Sequence, residues 1–190
     1  MKKIGVFLAD GFEEIEGLTV VDLLRRAGIE VAMISIMGRK EIYGSHQIGV
    51  LADVLYEEVD FGELEGVVLP GGMPGTTHLG SHSGVNEVIR SFAEEGKLVS
   101  AICAAPSVLG QAGILQGRRA ACYPGCEDKL TGAEVVYEEV AEAGNVITSR
   151  GMGTAIPFGL KLVEYLITKQ KAEELAEAIV YSLTGKTLSH

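Results

Sequence analysis

One cysteine stands where a nucleophile would. Residues 98–102, Leu-Val-Ser-Ala-Ile, run into Cys103 and then into Ala104-Ala105-Pro106. An apolar run that ends in cysteine and is followed by a proline suited to a first helical turn reads as a strand-to-helix elbow. A side chain on such an elbow projects from the sheet edge, and the N–H groups and dipole of the following helix favour thiolate over thiol. Ala101, Ala104 and Ala105 fit a crowded elbow where bulk would clash. The alternative is a buried, inert thiol, a common state of free cysteine.

Two further groups would complete such a site. Gly71-Gly72, after the run Val67-Val68-Leu69-Pro70, frees backbone N–H groups to face a developing oxyanion, and the N–H of Ala104 would add a second donor. A tight turn without function explains the same glycines. Glu13, Glu14 and Glu16 open a helical pattern, where carboxylates complement the dipole and read as caps or a solvated face. Glu16 differs if Ile15 and Leu18 face apolar surface. Desolvation would then keep its carboxyl protonated, able to donate to a thiolate and to move substrate protons.

Positioning these residues requires a particular order of elements. Apolar runs of strand length fall at 4–9, 31–36, 66–69, 98–102, 119–122 and 145–148, and uninterrupted Val/Ile/Leu runs predict a sheet covered on both faces. Helical patterns lie between and after them, at 15–26 with Gly28 in the stop position, 85–95, 106–111, 155–167 and 172–183. This alternation predicts a doubly wound α/β sandwich with right-handed crossovers. Ligands collect beyond the carboxyl ends of the strands in such sheets, which is where residues 10–16, 70–75, 103–106 and 149–153 fall. Residues 42–51 alternate weakly around Gly44 and Gly49 and predict a hairpin or edge insertion. No linker or repeat is visible, so residues 1–190 read as one domain, with 185–190 a short tail.

Composition narrows the class of function. Hydrophobic residues are 47% and charged residues 22%, as in globular chains, whereas 25 glycines without a period imply many tight turns. A formal net charge of −10 without a basic patch argues against nucleic-acid binding. Residues 98–117 carry no charge, but Pro106, Gly110, Gln111, Gly113 and Gln116 interrupt them, so a membrane span is not expected. Three cysteines, an odd number, favour a reducing compartment, and a cytoplasmic location is expected. Cys122 and Cys126, four apart without nearby histidine, are a weak metal signal and read as structural thiols. Gly151-Met152-Gly153 lacks the third glycine of a dinucleotide fingerprint. Neither a metal nor a cofactor is expected. The run from Glu138 to Glu142 reads as surface.

Taken together, the order and spacing of 11–16 (Gly-Phe-Glu-Glu-Ile-Glu), 22–28, 68–72, 101–106 and 148–154 (Thr-Ser-Arg-Gly-Met-Gly-Thr) resemble the ThiJ/PfpI family over nearly the whole chain, in the branch of the Parkinson-disease-linked deglycase and its bacterial relatives. The resemblance implies a flavodoxin-like, amidotransferase-like three-layer α/β/α sandwich, a mostly parallel sheet with a small edge hairpin, assembled as a homodimer. It implies Cys103 as nucleophile or oxidisable thiol and Glu16 as the protonated glutamate bonded to it. Gly72 and Ala104 would supply the oxyanion N–H groups. Ile15 and residues 48–51 match regions of the dimer contact, and His46 falls where some members bring an arginine toward the partner's site. Arg150 lies in the last motif as a secondary candidate.

In one place the pattern departs. Many members carry histidine before a proline about 20 residues after the cysteine, and here Tyr123 precedes Pro124. A phenol titrates near ~10 and is a poor base at neutral pH, which argues against Cys-His chemistry. A Cys-Glu pair survives the change. The resemblance then implies a cofactor-free glyoxalase or deglycase acting on methylglyoxal-type aldehydes or their adducts. The competing expectation is a non-enzymatic peroxide sensor or redox-regulated chaperone that uses oxidation of Cys103.

Overall fold

The apolar runs become strands and the periodic stretches become helices in a computed structural model, which describes residues 2–182. In chain order these are β1 (Lys3–Leu8), α1 (Glu14–Arg26), β2 (Glu30–Ser35), β3 (Glu41–Tyr43), β4 (Gly49–Leu51), β5 (Val54–Leu55), β6 (Gly66–Leu69), α2 (Gly75–Ser81), α3 (Ser83–Glu95) and β7 (Leu98–Ile102). They continue with α4 (Pro106–Gln111), β8 (Arg119–Ala120), β9 (Glu134–Val135), β10 (Val140–Ala143), β11 (Val146–Ser149), α5 (Ala155–Leu166) and α6 (Lys169–Ala178).

Seven strands form the central sheet in the order β10-β11-β7-β6-β1-β2-β5. Every pairing is parallel except the antiparallel β10–β11 edge. Side chains alternate across this sheet, so Ile4, Val6 and Leu8 of β1 join one core and Phe7 the other. The first core takes the apolar faces of α1, α5 and α6, and the second those of α2, α3 and α4. The result is the expected flavodoxin-like sandwich. Winding reverses between β1 and β6, so the loops after β1, β6 and β7 open side by side at one sheet edge.

The edge hairpin forms as β3 and β4, with Glu41 opposite Leu51 and Tyr43 opposite Gly49. It lies against the start of α1, where the Gly11 N–H donates to the Tyr43 carbonyl and the Ser45 N–H to the Phe12 carbonyl, both at 2.8 Å. No helix among the described residues is long and apolar enough to cross a membrane.

Several local expectations are corrected. Residues 119–122 do not join the central sheet. Arg119 and Ala120 pair with β9 in a separate two-stranded sheet, and Ala121 is tied to β11 by its N–H donating to Thr148 Oγ1 at 2.9 Å. Residues 138–142 are more than surface, because Val140–Ala143 is the sheet's edge strand, with Ala141 buried and Glu142 exposed. Gly75–Ser81 is a helix that its Gly, Thr and Ser content did not announce. The final helix begins at Lys169, capped by Thr168, whose side chain accepts from the Lys171 N–H. Residue 183 of its expected span and the tail 185–190 lie outside the described residues.

Candidate active site

Cys103 follows β7 with φ +66, a left-handed backbone rare for a residue with a side chain. Its neighbours fix that conformation. The Cys103 N–H donates to the Ser149 carbonyl at 3.0 Å, and its carbonyl accepts from the Tyr123 N–H at 2.8 Å. Pro106 opens α4 immediately beyond. The sulfur therefore leaves the sheet edge at the topological switch, half-buried.

Glu16 reaches the same place from the first turn of α1. It is 1% exposed, its Oε2 accepts the Gly71 N–H at 3.0 Å, and its carboxyl is hydrogen-bonded to the Cys103 thiol. Gly71 is what allows the two to meet. A Cβ there would lie 2.5 Å from Cys103 Cβ and 2.6 Å from Glu16 Oε2. Gly72 is equally constrained, with φ +88 and the Glu13 backbone N 2.3 Å from where its Cβ would be. The N–H groups of Gly72 and Ala104 both point at the Cys103 sulfur. The structure thus brings Cys103, Glu16, Gly72 and Ala104 together from two loops and the first turn of α1.

Burial governs the electrostatics. It pushes the Glu16 carboxyl up to about 7, against the hydrogen bonds from Cys103 and Gly71, which favour the anion. It also pushes the Cys103 thiol up to about 12, helped by the charge of Glu16 and its hydrogen bond, while the Gly72 and Ala104 N–H groups pull the other way. The helix-favoured thiolate expected at this elbow is therefore outweighed by desolvation. When Glu16 takes the proton, its charge no longer opposes the thiolate and its O–H can donate to sulfur. Cys103 and Glu16 are coupled: the thiol keeps its proton at neutral pH, and protonating the carboxyl removes one of the causes that oppose a thiolate.

A cavity of about 750 Å³ opens over the sulfur. Cys103, Ala104 and Gly72 lie on its lining together with Thr76 of α2, Ser107 of α4 and Tyr123. Tyr123 is at the cavity as the sequence places it, but exposed. Cys122 is buried and its thiol pushed up to about 11, chiefly by that burial. Cys126, read from sequence as a structural thiol, is half-buried and lines the cavity.

The other sequence candidates stand apart. Arg150 lines a separate groove, its guanidinium 5.7 Å from the centre of the Tyr137 ring. His46 sits on the hairpin, 67% exposed at its side chain, with Nδ1 3.0 Å from Glu14 Oε2. Glu14 is neither a cap nor solvated: it is buried and also accepts the His46 N–H at 2.8 Å. Burial alone would raise its carboxyl, yet hydrogen bonds from its own N–H, the His46 ring and the N–H groups of His46 and Ile48 carry it below the usual value. Glu13, Glu14 and His46 are the one grouping among the described residues that could hold a metal ion, their ligand atoms within 4.8 Å of one another. The cavity walls from α2 and from 126–131 carried no sequence motif. Only the fold reveals them.

Fold and site define a class: a flavodoxin-like sandwich with a cysteine elbow and a buried carboxyl hydrogen-bonded to the sulfur. The chain belongs to the DJ-1/PfpI family, which matches residues 2–165. It is 38% identical over 177 residues to protein dj-1beta of Drosophila melanogaster, covering 92% of this chain and 95% of that one. A protein of Pyrococcus abyssi named a deglycase is 35% identical, covering 86% of this chain and 99% of its own. Among solved structures, an oxidized DJ-1 of Toxoplasma gondii superposes with a TM-score of 0.92 at 34% identity, covering 96% of this chain and 100% of that one.

Proposed function

We propose that the protein is a cysteine-dependent, cofactor-free glyoxalase or deglycase acting on methylglyoxal-type aldehydes or their adducts. The observation that carries this reading is the Glu16 carboxyl, raised to about 7, hydrogen-bonded to the Cys103 thiol beneath an open cavity. A carboxylate poised near neutral pH suits general-base work. Glu16 takes the thiol proton as sulfur adds to the aldehyde carbon, the C=O π pair moves to oxygen, and that oxygen regains a proton to give a hemithioacetal. The N–H groups of Gly72 and Ala104 would stabilise the charge that develops on that oxygen. Glu16 then carries the C1 proton of methylglyoxal to C2, leaving a lactoyl thioester. Water cleaves it to lactate and restores the thiol. Hydrolysis of early glyoxal adducts would share the first intermediate.

The protein is read as a homodimer, supported by the exposed apolar side chains of Ile15, Tyr43, Ile48 and Leu51 at the start of α1 and on the hairpin. Three free cysteines fit a reducing cytoplasm.

A second reading, a peroxide sensor or redox-regulated chaperone, is favoured by the half-buried sulfur and the likeness to an oxidized DJ-1. A Cys103 sulfinate would accept the Gly72 and Ala104 N–H groups and the Glu16 O–H. Lactate formation from methylglyoxal by the parent, Cys103→Ala and Glu16→Gln proteins, beside intact mass after mild peroxide, separates the two. Turnover lost in both variants supports the enzyme. No turnover in the parent, with two oxygens added only at Cys103, supports the sensor. A protein that shows neither turnover nor oxidation at Cys103 makes both readings untenable.

A further inference from the structure

The cavity over Cys103 has one charged residue on its lining, the exposed Lys129. Lys129 makes no ion pair or side-chain hydrogen bond among the described residues. Its acidic neighbours do not neutralise it: Glu127 accepts the Gly125 N–H at 2.7 Å, and neither Glu127 nor Asp128 lines the cavity. In a chain of net charge −10, a cation left unpaired at a cavity wall is conspicuous.

Its position is held by backbone. The Lys129 N–H donates to the Cys126 carbonyl at 3.0 Å, and the Lys129 carbonyl packs on α4 at Gly110, where a Cβ would lie 2.3 Å away. Gly110 stands near the end of α4 remote from Cys103, on the order of 10 Å along the chain at the helical rise per residue. Ser81, Gln111, Tyr123 and Thr131 line the same cavity, and their side chains make no hydrogen bond among the described residues. They are free to bind a ligand's hydroxyls. Methylglyoxal, small and uncharged, would use only the Cys103 end of a cavity of about 750 Å³.

Building on the aldehyde reading above, we infer that this cavity selects aldehydes with a terminal anionic group on a short hydroxylated chain, with the carbonyl at Cys103 and the anion at Lys129. Phosphate and carboxylate share the chemistry that Lys129 recognises, and a phosphorylated aldehyde is the probe. The first step is unchanged: sulfur bonds to the aldehyde carbon, the π pair moves to oxygen, and the thiol proton passes through Glu16 to that oxygen.

The test reads reversible addition rather than turnover. Cys103 is alkylated with iodoacetamide in the presence of glyceraldehyde or glyceraldehyde 3-phosphate, and modification at Cys103 is followed by peptide mass in the parent, Lys129→Gln and Lys129→Arg proteins. In the parent, the phosphorylated aldehyde half-protects at about fivefold lower concentration, the size of one exposed ion pair. That ratio falls to about one in Lys129→Gln and is kept in Lys129→Arg, as a direct charge contact requires. Equal protection in the parent, a preference that survives Lys129→Gln, or one lost in Lys129→Arg as well overturns the inference and leaves the aldehyde reading standing. Protection by neither compound overturns both.

Discussion

Three carboxylates within four residues have three different environments, and only one of them lies at the sulfur. Glu13 flanks the helix start, Glu14 is ionised against the hairpin and His46, and Glu16 is buried with its carboxyl raised to about 7. A raised acid costs stability when it ionises. Below pH 4.5 folded and unfolded chains both hold the Glu16 proton, between 4.5 and about 7 the folded chain holds more, and stability therefore falls as pH rises across that window. Glu16→Gln should remove this loss, making the protein more stable than the parent by up to about 3 kcal/mol at pH 8 and by little at pH 4. Urea unfolding at the two pH values measures the difference. The same variant should lose at least about 100-fold in turnover, since general-base help is worth that much or more. Cys103 carries a separate backbone strain at φ +66, so Cys103→Gly should be more stable than Cys103→Ala by about 1 kcal/mol in the same unfolding experiment.

Among the elements, legibility followed burial pattern. Strands β1, β6, β7 and β11 were readable because a strand covered on both faces has almost no polar residue to break its apolar run. Edge strand β10 was hidden by its half-exposed face, where Glu142 alternates with buried Ala141. Residues 119–122 misled for the opposite reason: Ala120, Ala121 and Cys122 are buried, yet the segment runs outside the central sheet, held by its pairing with β9 and by a backbone-to-Thr148 bond that no apolar pattern encodes. Thr148→Val should leave the buried Ala121 N–H without a partner and destabilise the protein by about 1–3 kcal/mol, measured as a lowered urea midpoint. Gly71 is the other element-level constraint. Gly71→Ala forces a methyl between Cys103 and Glu16, so stability should fall by about 1–3 kcal/mol and lactate formation should drop in parallel.

For the whole molecule, the sequence disclosed the candidate pair but not the chamber around it. An elbow and a helix start leave local marks that made Cys103 and Glu16 candidates, and the family resemblance supplied their pairing, whereas Lys129, Cys126 and the α2 wall reach the cavity only through tertiary packing. The hairpin patch bears on assembly. Leu51 is 64% exposed beside Ile48 and Tyr43, and sedimentation velocity should show a dimer that Leu51→Asp converts to monomer without loss of secondary structure.

All of the proposed chemistry passes through one proton held between sulfur and carboxyl. The pH dependence of kcat/KM for lactate formation from methylglyoxal tests this most directly. The account predicts a rate that rises through an apparent pKa near 7, as Glu16 becomes able to accept the thiol proton, and that loses this limb in Glu16→Gln. An identical profile and rate in Glu16→Gln, or lactate formed undiminished by Cys103→Ala, would contradict it.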